Sequence, residues 1–482
     1  MYWYISFLRP PPVSVSSTAE SITITPQVAN DLRTELKYDP TTILYTWQRL
    51  SPTPLDPTKA QELTTFEPPM STYKPLSVPL PPQVQAGESW RLGLFTGSVL
   101  GEEESGRTDD DDRGEGCSCL NLLSLVEDDP PVLGVWSEGI QIVRPDIKSS
   151  GITKSVNGGK SDLNGNGSSK GQRHDGPKGK GKDKGKGKEK EKDDGPKQGR
   201  ITREFELPSS STIDGMLRIV EQTSFDLDKK IWDSGLALSA WLWKYLPSAS
   251  NTAMPHAQVE RVIDLLRTNR DNGAPLRILE LGGGTGLVSI ALALALRGYF
   301  PHSSRYITAT DLGSAIPLMD ENLSTNRLAS PRPASQEARL SSSSDNAPAA
   351  DTIRLDAKVL DWNEDIPSWV DEQWPEVIIA ADVTYNTSAF PSLLSNLTSL
   401  LNPPLDRQRQ PQRPQTGLND HRNGNGTRPL LLLAYKQRDA AERDLWGMLR
   451  EKGVGMVLVD KVKGAEEEGE TEIWVGGMDV SL

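Results

Sequence analysis

Residues 276–298 read LRILELGGGTGLVSIALALALRG, and the reading of this stretch decides the fold. An apolar run, four glycines within five residues and a second, longer apolar run follow one another. Leu276–Leu281 has the length of a buried strand, and Leu287–Gly298 reads as a helix ending on a glycine, where left-handed C-caps are common. A strand–turn–helix with a glycine corner puts bare main chain beside the free N–H groups of a helix start. Glycine accepts positive φ and lets a ligand approach with no Cβ in the way, and the helix start adds partial positive charge. A nucleotide-type cofactor is the natural guest.

Two common guests are excluded by spacing. A P-loop needs Lys and Ser/Thr after its last glycine, where this chain has Leu287 and Val288. The dinucleotide fingerprint from Gly282 and Gly284 would need a third glycine where Leu287 stands. The pattern that remains is Glu280-x-Gly282-x-Gly284-x-Gly286.

Working outward, residues 204–482 alternate strand-like runs with helical patterns, which predicts a parallel sheet covered on both faces. The runs are LRILEL, RYITATDL, IRLDAKVLDW, EVIIAAD, PLLLLAYK, GVGMVLVD and ETEIWVGG. Asp311 ends the second, where a carboxylate can accept hydrogen bonds from ribose hydroxyls. Asp361 and Trp362 follow the third, and a flat ring suits a purine face. Ala381 and Asp382 end the fourth, at the crevice where open α/β sheets bind ligands. Ahead of the glycine corner, Trp232 precedes an amphipathic helix bearing Leu236, Ser239, Ala240 and Trp243 at helical spacing.

Together these segments resemble the protein-lysine methyltransferases of the seven-β-strand, S-adenosylmethionine-dependent class, methyltransferase family 16. The resemblance is carried by IWDSGLALSAWL, ILELGGGTGLVSI, ATDL, LDW, AADVTYN and AYKQR, over about residues 204–482. Asp382-x-x-Tyr385 matches the family's motif after the fourth strand and is its most specific part. The aromatic start YWYISFLRPPP also resembles fungal members with an added N-terminal region. The resemblance implies a Rossmann-like α/β fold with a seven-stranded sheet and S-adenosyl-L-methionine as cofactor. It implies cofactor contacts at Trp232, Glu280, Gly282, Gly283, Gly284, Gly286, Asp311, Trp362 and Ala381. Catalysis would centre on Asp382, orienting the substrate amine, and Tyr385, offering its ring face or hydroxyl. The implied substrate is a lysine of a specific protein, such as a translation elongation factor or a chaperone. Two alternatives stay open: the same fold acting on a small molecule or RNA, and an inactive adaptor. The Asn/Asp-Pro-Pro-Tyr/Phe of nucleic-acid amino-methyltransferases is absent after the fourth strand.

The rest of the chain sets the frame. Residues 1–150 are expected to form a small mixed domain, with strands at YWYISFL, SITIT, TTILYTW, SWRLGLFTG and GVWSEGIQIV and a short helix at PQVANDLRTEL. Residues 151–203 are rich in Gly and Lys with few apolar side chains, the composition of a disordered linker. Inserts near 325–352 and 402–428 are Ser-, Pro-, Asn- and Gly-rich and lack periodicity. A Gly-x-Ser-x-Gly string at Gly167–Gly171 falls in the linker, without the strand and helix of a nucleophile elbow.

Only 35% of the 482 residues are hydrophobic, so some of the chain is expected to lie outside packed cores. A net charge of −13 gives no general pull toward nucleic acid or anionic membrane. Two cysteines, Cys117 and Cys119, read as ordinary loop thiols, too few for a disulfide framework or a zinc site. The four histidines, His174, His256, His302 and His421, lie outside the motifs, so no metal site is expected. No run approaches the ~20 apolar residues of a membrane span. The expectation is a monomeric, cytoplasmic protein, with the nucleus also open to it.

Overall fold

A computed structural model describes residues 1–97, 119–145, 196–208, 215–223, 226–247, 254–268, 274–328, 353–403, 428–465 and 469–480. The expected linker over 151–195, most of both inserts, the Gly167–Gly171 string and Cys117 lie outside the described residues.

The strands of the first half are β1 (Tyr4–Arg9), β2 (Ser14–Ser16), β3 (Ser21–Ala29), β4 (Thr41–Ser51), β5 (Gln61–Phe66), β6 (Leu76–Pro79) and β7 (Ser89–Thr96). They continue with β8 (Leu120–Asn121), β9 (Val135–Ser137), β10 (Ile140–Val143), β11 (Arg200–Glu206) and β12 (Met216–Gln222). One sheet has the order β1-β3-β6; a second, larger one runs β12-β11-β9-β7-β10-β2, with β4 and β5 joined through β7 and β8 on β11. Between them lies a core that includes Trp3, Ile5, Phe7, Trp47, Trp90 and Leu92.

Three expectations are corrected here. PQVANDLRTEL is not a helix: Pro26–Ala29 continue β3 opposite β1, and Asn30 then closes a turn by accepting from the amides of Thr34 (3.0 Å) and Glu35 (3.3 Å). An Asn that captures backbone amides competes with helix formation. GVWSEGIQIV is two strands, β9 and β10, interrupted after Ser137. The sheet pairing also crosses the expected boundary at 203/204, because β11 and β12 belong to the N-terminal sheet. Residues 196–203, assigned to the linker, are ordered: Pro196 accepts from the Val13 amide at 3.0 Å and Arg200 opens β11.

The second half is built on α1 (Asp233–Tyr245), α2 (Ala257–Arg267), β13 (Leu276–Leu281), α3 (Leu287–Tyr299), β14 (Arg305–Asp311), α4 (Ile316–Thr325) and β15 (Ile353–Val359). It continues with α5 (Ser368–Glu372), β16 (Val377–Ala381), α6 (Phe390–Leu401), β17 (Leu430–Lys436), α7 (Asp444–Glu451), β18 (Gly455–Val462) and β19 (Thr471–Gly477). All seven expected strands are present, in the order β15-β14-β13-β16-β17-β19-β18. β13 to β17 pair in parallel and β19 runs antiparallel to both its neighbours. This is the Rossmann-like sheet the sequence predicts. The order reverses between β13 and β16, so the crevice at their carboxyl ends is the topological switch point. Leu281 pairs with Thr310 on one side and Ala380 on the other, which makes the chain leave the sheet at Gly282, Asp311 and Asp382 side by side.

Helix α3 runs one residue past Gly298, with Phe300 as C-cap and the Tyr299 ring packed edge-on against Trp243. Helix α1 is not amphipathic in place: every residue except Lys244 is buried. Its core cluster mixes Trp241 and Trp243 with α3 residues and with Leu122, Leu125, Phe205 and Leu217 of the first half. The two halves thus share a core. Asn322 and Asn326 extend the join by hydrogen-bonding the backbone of Val220 and Arg218 along β12. An edge strand covered in this way offers no free ladder to another chain.

Candidate active site

The glycine corner is tied down by its own backbone. Gly283 donates to the Thr310 carbonyl at 2.8 Å and Gly286 to Gly283 at 2.7 Å. Gly284, at φ +55°, donates to Asp311 Oδ2 at 2.7 Å. Gly284 lines a cavity of about 250 Å³, and an added Cβ there would lie 3.5 Å from the Asp228 carbonyl and 4.0 Å from the Lys230 carbonyl of the facing segment.

Ten of the eleven residues singled out from the sequence line that cavity: Trp232, Glu280, Gly282, Gly283, Gly284, Asp311, Trp362, Ala381, Asp382 and Tyr385. Gly286 does not. It is the N-cap of α3, and its missing Cβ makes room for Met319 Cγ, which would lie 2.9 Å away. Trp362 leans over the corner, with its ring 3.3 Å from the position of a Gly282 Cβ. The strap Leu227–Trp232 crosses the other side, held by Trp232 Nε1 on the Leu227 carbonyl (2.9 Å) and Ser314 Oγ on Asp228 Oδ2 (2.7 Å).

The cavity is acidic. Asp228, Glu280, Asp311, Asp361 and Asp382 line it against one cation, Lys230. Burial pushes the Asp311 carboxyl above its ordinary range, opposed by the amides of Gly284 and Leu312 that donate to it. Burial also lifts Glu280 to about 7; Ser289, at the start of α3, pulls the other way and Asp311 adds to the rise. The Tyr385 ring is 52% exposed, so it sits at the mouth, and partial burial with the charges of Asp311 and Asp228 raises its hydroxyl.

Asp382 is buried and adopts φ +55°, a conformation that costs a non-glycine residue of order 1–3 kcal/mol. Its carboxylate explains why the strain persists. Oδ1 accepts from Ser234 Oγ (2.8 Å) and Arg438 Nη1 (2.6 Å), and Oδ2 from the Ser234 amide (3.0 Å) and Arg438 Nη2 (3.2 Å). Both oxygens are committed to the protein, at the amino end of α1, whose partial positive charge favours an anion. With four donors in place, this carboxylate fixes its loop and contributes charge.

Sequence reasoning missed the groups behind Asp382. Arg438 also donates to Asp31 Oδ2 at 2.7 Å, and its guanidinium lies 5.1 Å from the Trp232 ring centroid. Burial works against its charge, but Asp382 and Asp31 outweigh that and hold it firmly protonated. Beside it, Asp233 accepts from Lys436 Nζ (2.5 Å), the Tyr4 hydroxyl (2.7 Å) and the Tyr2 amide (3.1 Å). Arg438 and Lys436 lie in AYKQR, so a signal existed for them. Asp31, Tyr2 and Tyr4 come from the first half and carry none.

Among the described residues no cluster of His, Cys, Asp and Glu is arranged to hold a metal ion, and no helix is long and apolar enough to cross a membrane. Cys119 is partly buried, and burial with the nearby Glu204 pushes its thiol up to about 12.

Residues 212–405 match the family described as "Lysine methyltransferase". A UPF0665 family protein of Schizosaccharomyces pombe is 24% identical over 205 residues, covering 42% of this chain and 47% of that protein. The protein-lysine N-methyltransferase EFM6 of Saccharomyces cerevisiae is 24% identical over 204 residues, covering 40% of this chain and 63% of that one. The chain therefore spans between about half and just under two thirds of the length of these relatives. Among solved structures, Aeropyrum pernix fibrillarin with natively bound S-adenosyl-L-methionine aligns over 57% of this chain and 94% of its own, at 11% identity and a TM-score of 0.26. The fold assignment rests on the strand order described above.

Proposed function

We propose, from the match of residues 212–405 to the lysine methyltransferase family, that the chain is an S-adenosylmethionine-dependent protein-lysine N-methyltransferase. One observation carries the reading: the glycine corner, Asp311, Trp362 and the Asp382-x-x-Tyr385 pair all open on one acidic cavity. The residues fit an adenosyl sulfonium. Gly284 leaves the wall bare where a Cβ would project, Trp362 presents a ring, and Asp311 keeps acceptor capacity for hydroxyls beyond the two amides it binds. When bound, the cofactor supplies an activated methyl group on a good leaving group.

The chain's own work is alignment, exclusion of water and control of charge. Strand ends β13, β14 and β16 fix the walls, and the strap Leu227–Trp232 narrows access to solvent. A lysine amine arrives as an ammonium, with a reference pKa of about 10.4, and must shed a proton before it attacks. Desolvation beside a sulfonium favours the neutral amine. Asp382 holds its loop and lends negative charge to the pocket, while Tyr385 at the mouth offers ring face or hydroxyl to the incoming side chain. The name of the yeast relative, a protein-lysine N-methyltransferase, favours a protein substrate, and the family resemblance points to one such as a translation elongation factor; we place that encounter in the cytoplasm.

The test is to incubate the purified protein with methyl-labelled S-adenosylmethionine and cell extract. Label on protein lysine supports the reading. Label confined to RNA or small molecules, or no cofactor binding by calorimetry, overturns it.

A further inference from the structure

We propose that Asp31, in the N-terminal half, is a positioning residue of the active site, acting through Arg438 to fix Asp382 and to offset the Arg438 charge behind the acidic pocket. The inference rests on the methyltransferase reading, since it concerns the charge met by a sulfonium and an ammonium.

The geometry is a two-sided clamp. The Arg438 guanidinium lies between two carboxylates, 2.6 Å from Asp382 Oδ1 and 2.7 Å from Asp31 Oδ2. The side chains are 1% (Asp31), 14% (Arg438) and 5% (Asp382) exposed, so little water screens them. A planar guanidinium held on two edges has no freedom to swing, which suits it to fixing a third group. The same two carboxylates also bind consecutive amides at the start of α1: Asp31 Oδ2 accepts from Asp233 at 3.3 Å and Asp382 Oδ2 from Ser234 at 3.0 Å. Asp31 itself is set by its place in the turn after β3, where Oδ1 accepts from the Leu32 amide at 2.9 Å. The register of the N-terminal sheet is thereby transmitted to the loop that carries Asp382.

Charge gives the arrangement its consequence. Arg438 with Asp382 alone would be a neutral pair. Asp31 makes the trio net negative, and the adjoining Lys436–Asp233 pair adds no net charge. A pocket that receives a cationic cofactor and a cationic lysine gains from that excess charge, whereas the neutral thioether product does not. The N-terminal half is therefore part of the catalytic unit and not a detachable targeting module.

The experiment compares wild type, Asp31→Asn and Asp31→Glu, each checked for a cooperative melt. Calorimetry reads their affinities for S-adenosylmethionine and S-adenosylhomocysteine; labelled transfer into extract protein reads the rate. Asp31→Asn is expected to lower the sulfonium-to-thioether affinity ratio by about three- to tenfold and to slow transfer, with Asp31→Glu restoring most of both. With Arg438→Gln already present, adding Asp31→Asn should slow transfer less than about twofold further, as expected for residues acting as one unit. An unchanged affinity ratio, or losses that multiply in the double variant, overturns the proposal while leaving the methyltransferase reading intact. A wild-type protein that binds neither nucleoside removes both.

Discussion

Ser234 meets Asp382 twice, through its amide at 3.0 Å and its hydroxyl at 2.8 Å, on different carboxylate oxygens. The first helical turn of α1 thus anchors the loop after β16, two elements separated by 148 residues. Replacing Ser234 with Ala removes the hydroxyl and keeps the amide. A hydrogen bond to a charged group contributes about 1.5–3 kcal/mol, so transfer is expected to fall by about ten- to a hundredfold. Cofactor affinity should stay within about twofold of wild type, because Arg438 still holds both oxygens. Single-turnover transfer beside equilibrium binding checks this; equal losses in both would mean that the hydroxyl serves the cavity as a whole.

Gly284→Ala tests the bare wall. The position has φ +55°, so alanine pays about 1 kcal/mol or more in backbone strain, and its methyl projects toward the cavity. We expect a melt lowered by a few degrees and an S-adenosylmethionine affinity reduced by at least about tenfold. Unchanged affinity in a folded variant would place the ligand elsewhere.

Those two predictions mark what the sequence could and could not reveal. The sheet was legible because its central strands, β13, β16 and β17, are apolar runs buried on both faces, and the cavity was legible because its walls are strand ends next to motifs. Gly286 could not be placed from its motif, because a pattern of glycines does not say which one lines a cavity and which makes room for Met319. The failed helix at 26–36 reflects local polar chemistry: Asn30 takes the amides of Thr34 and Glu35, and Pro26 continues a strand. The partnership of Asp31 with Arg438 spans 407 residues, and no periodicity records a contact between two folding units.

Arg203 ties together the interior of the first half. It donates to Glu221 at 2.7 Å, to the Gly134 carbonyl at 2.8 Å and to the Ile5 carbonyl at 3.1 Å, and both charged side chains are almost wholly buried. Arg203→Met leaves Glu221 buried without its cation and is expected to cost about 3–5 kcal/mol. Adding Glu221→Gln should recover part of that loss, though the Ile231 amide still needs its acceptor. Urea unfolding of the three variants tests this; a loss below about 1 kcal/mol for the single variant would show that water reaches the site.

Glu280 sets a pH dependence with a definite sign. Its carboxyl is 2% exposed and accepts from the Ser289 amide at 3.1 Å; burial raises it to about 7, with Asp311 adding to the rise. In the unfolded chain a glutamate titrates near 4.3. Between these values the native state keeps a proton that the unfolded state has lost, so stability falls as pH rises from about 4.3 to 7 and is level on either side. The full drop is on the order of 3 kcal/mol. Glu280→Gln keeps an acceptor for Ser289 and cannot ionise. Its melting temperature relative to wild type should therefore climb between pH 5 and about pH 7 and level off above that, in the absence of ligand. A constant difference across that range would mean that Glu280 is ionised in the native protein throughout, held there by donors stronger than the single amide of Ser289.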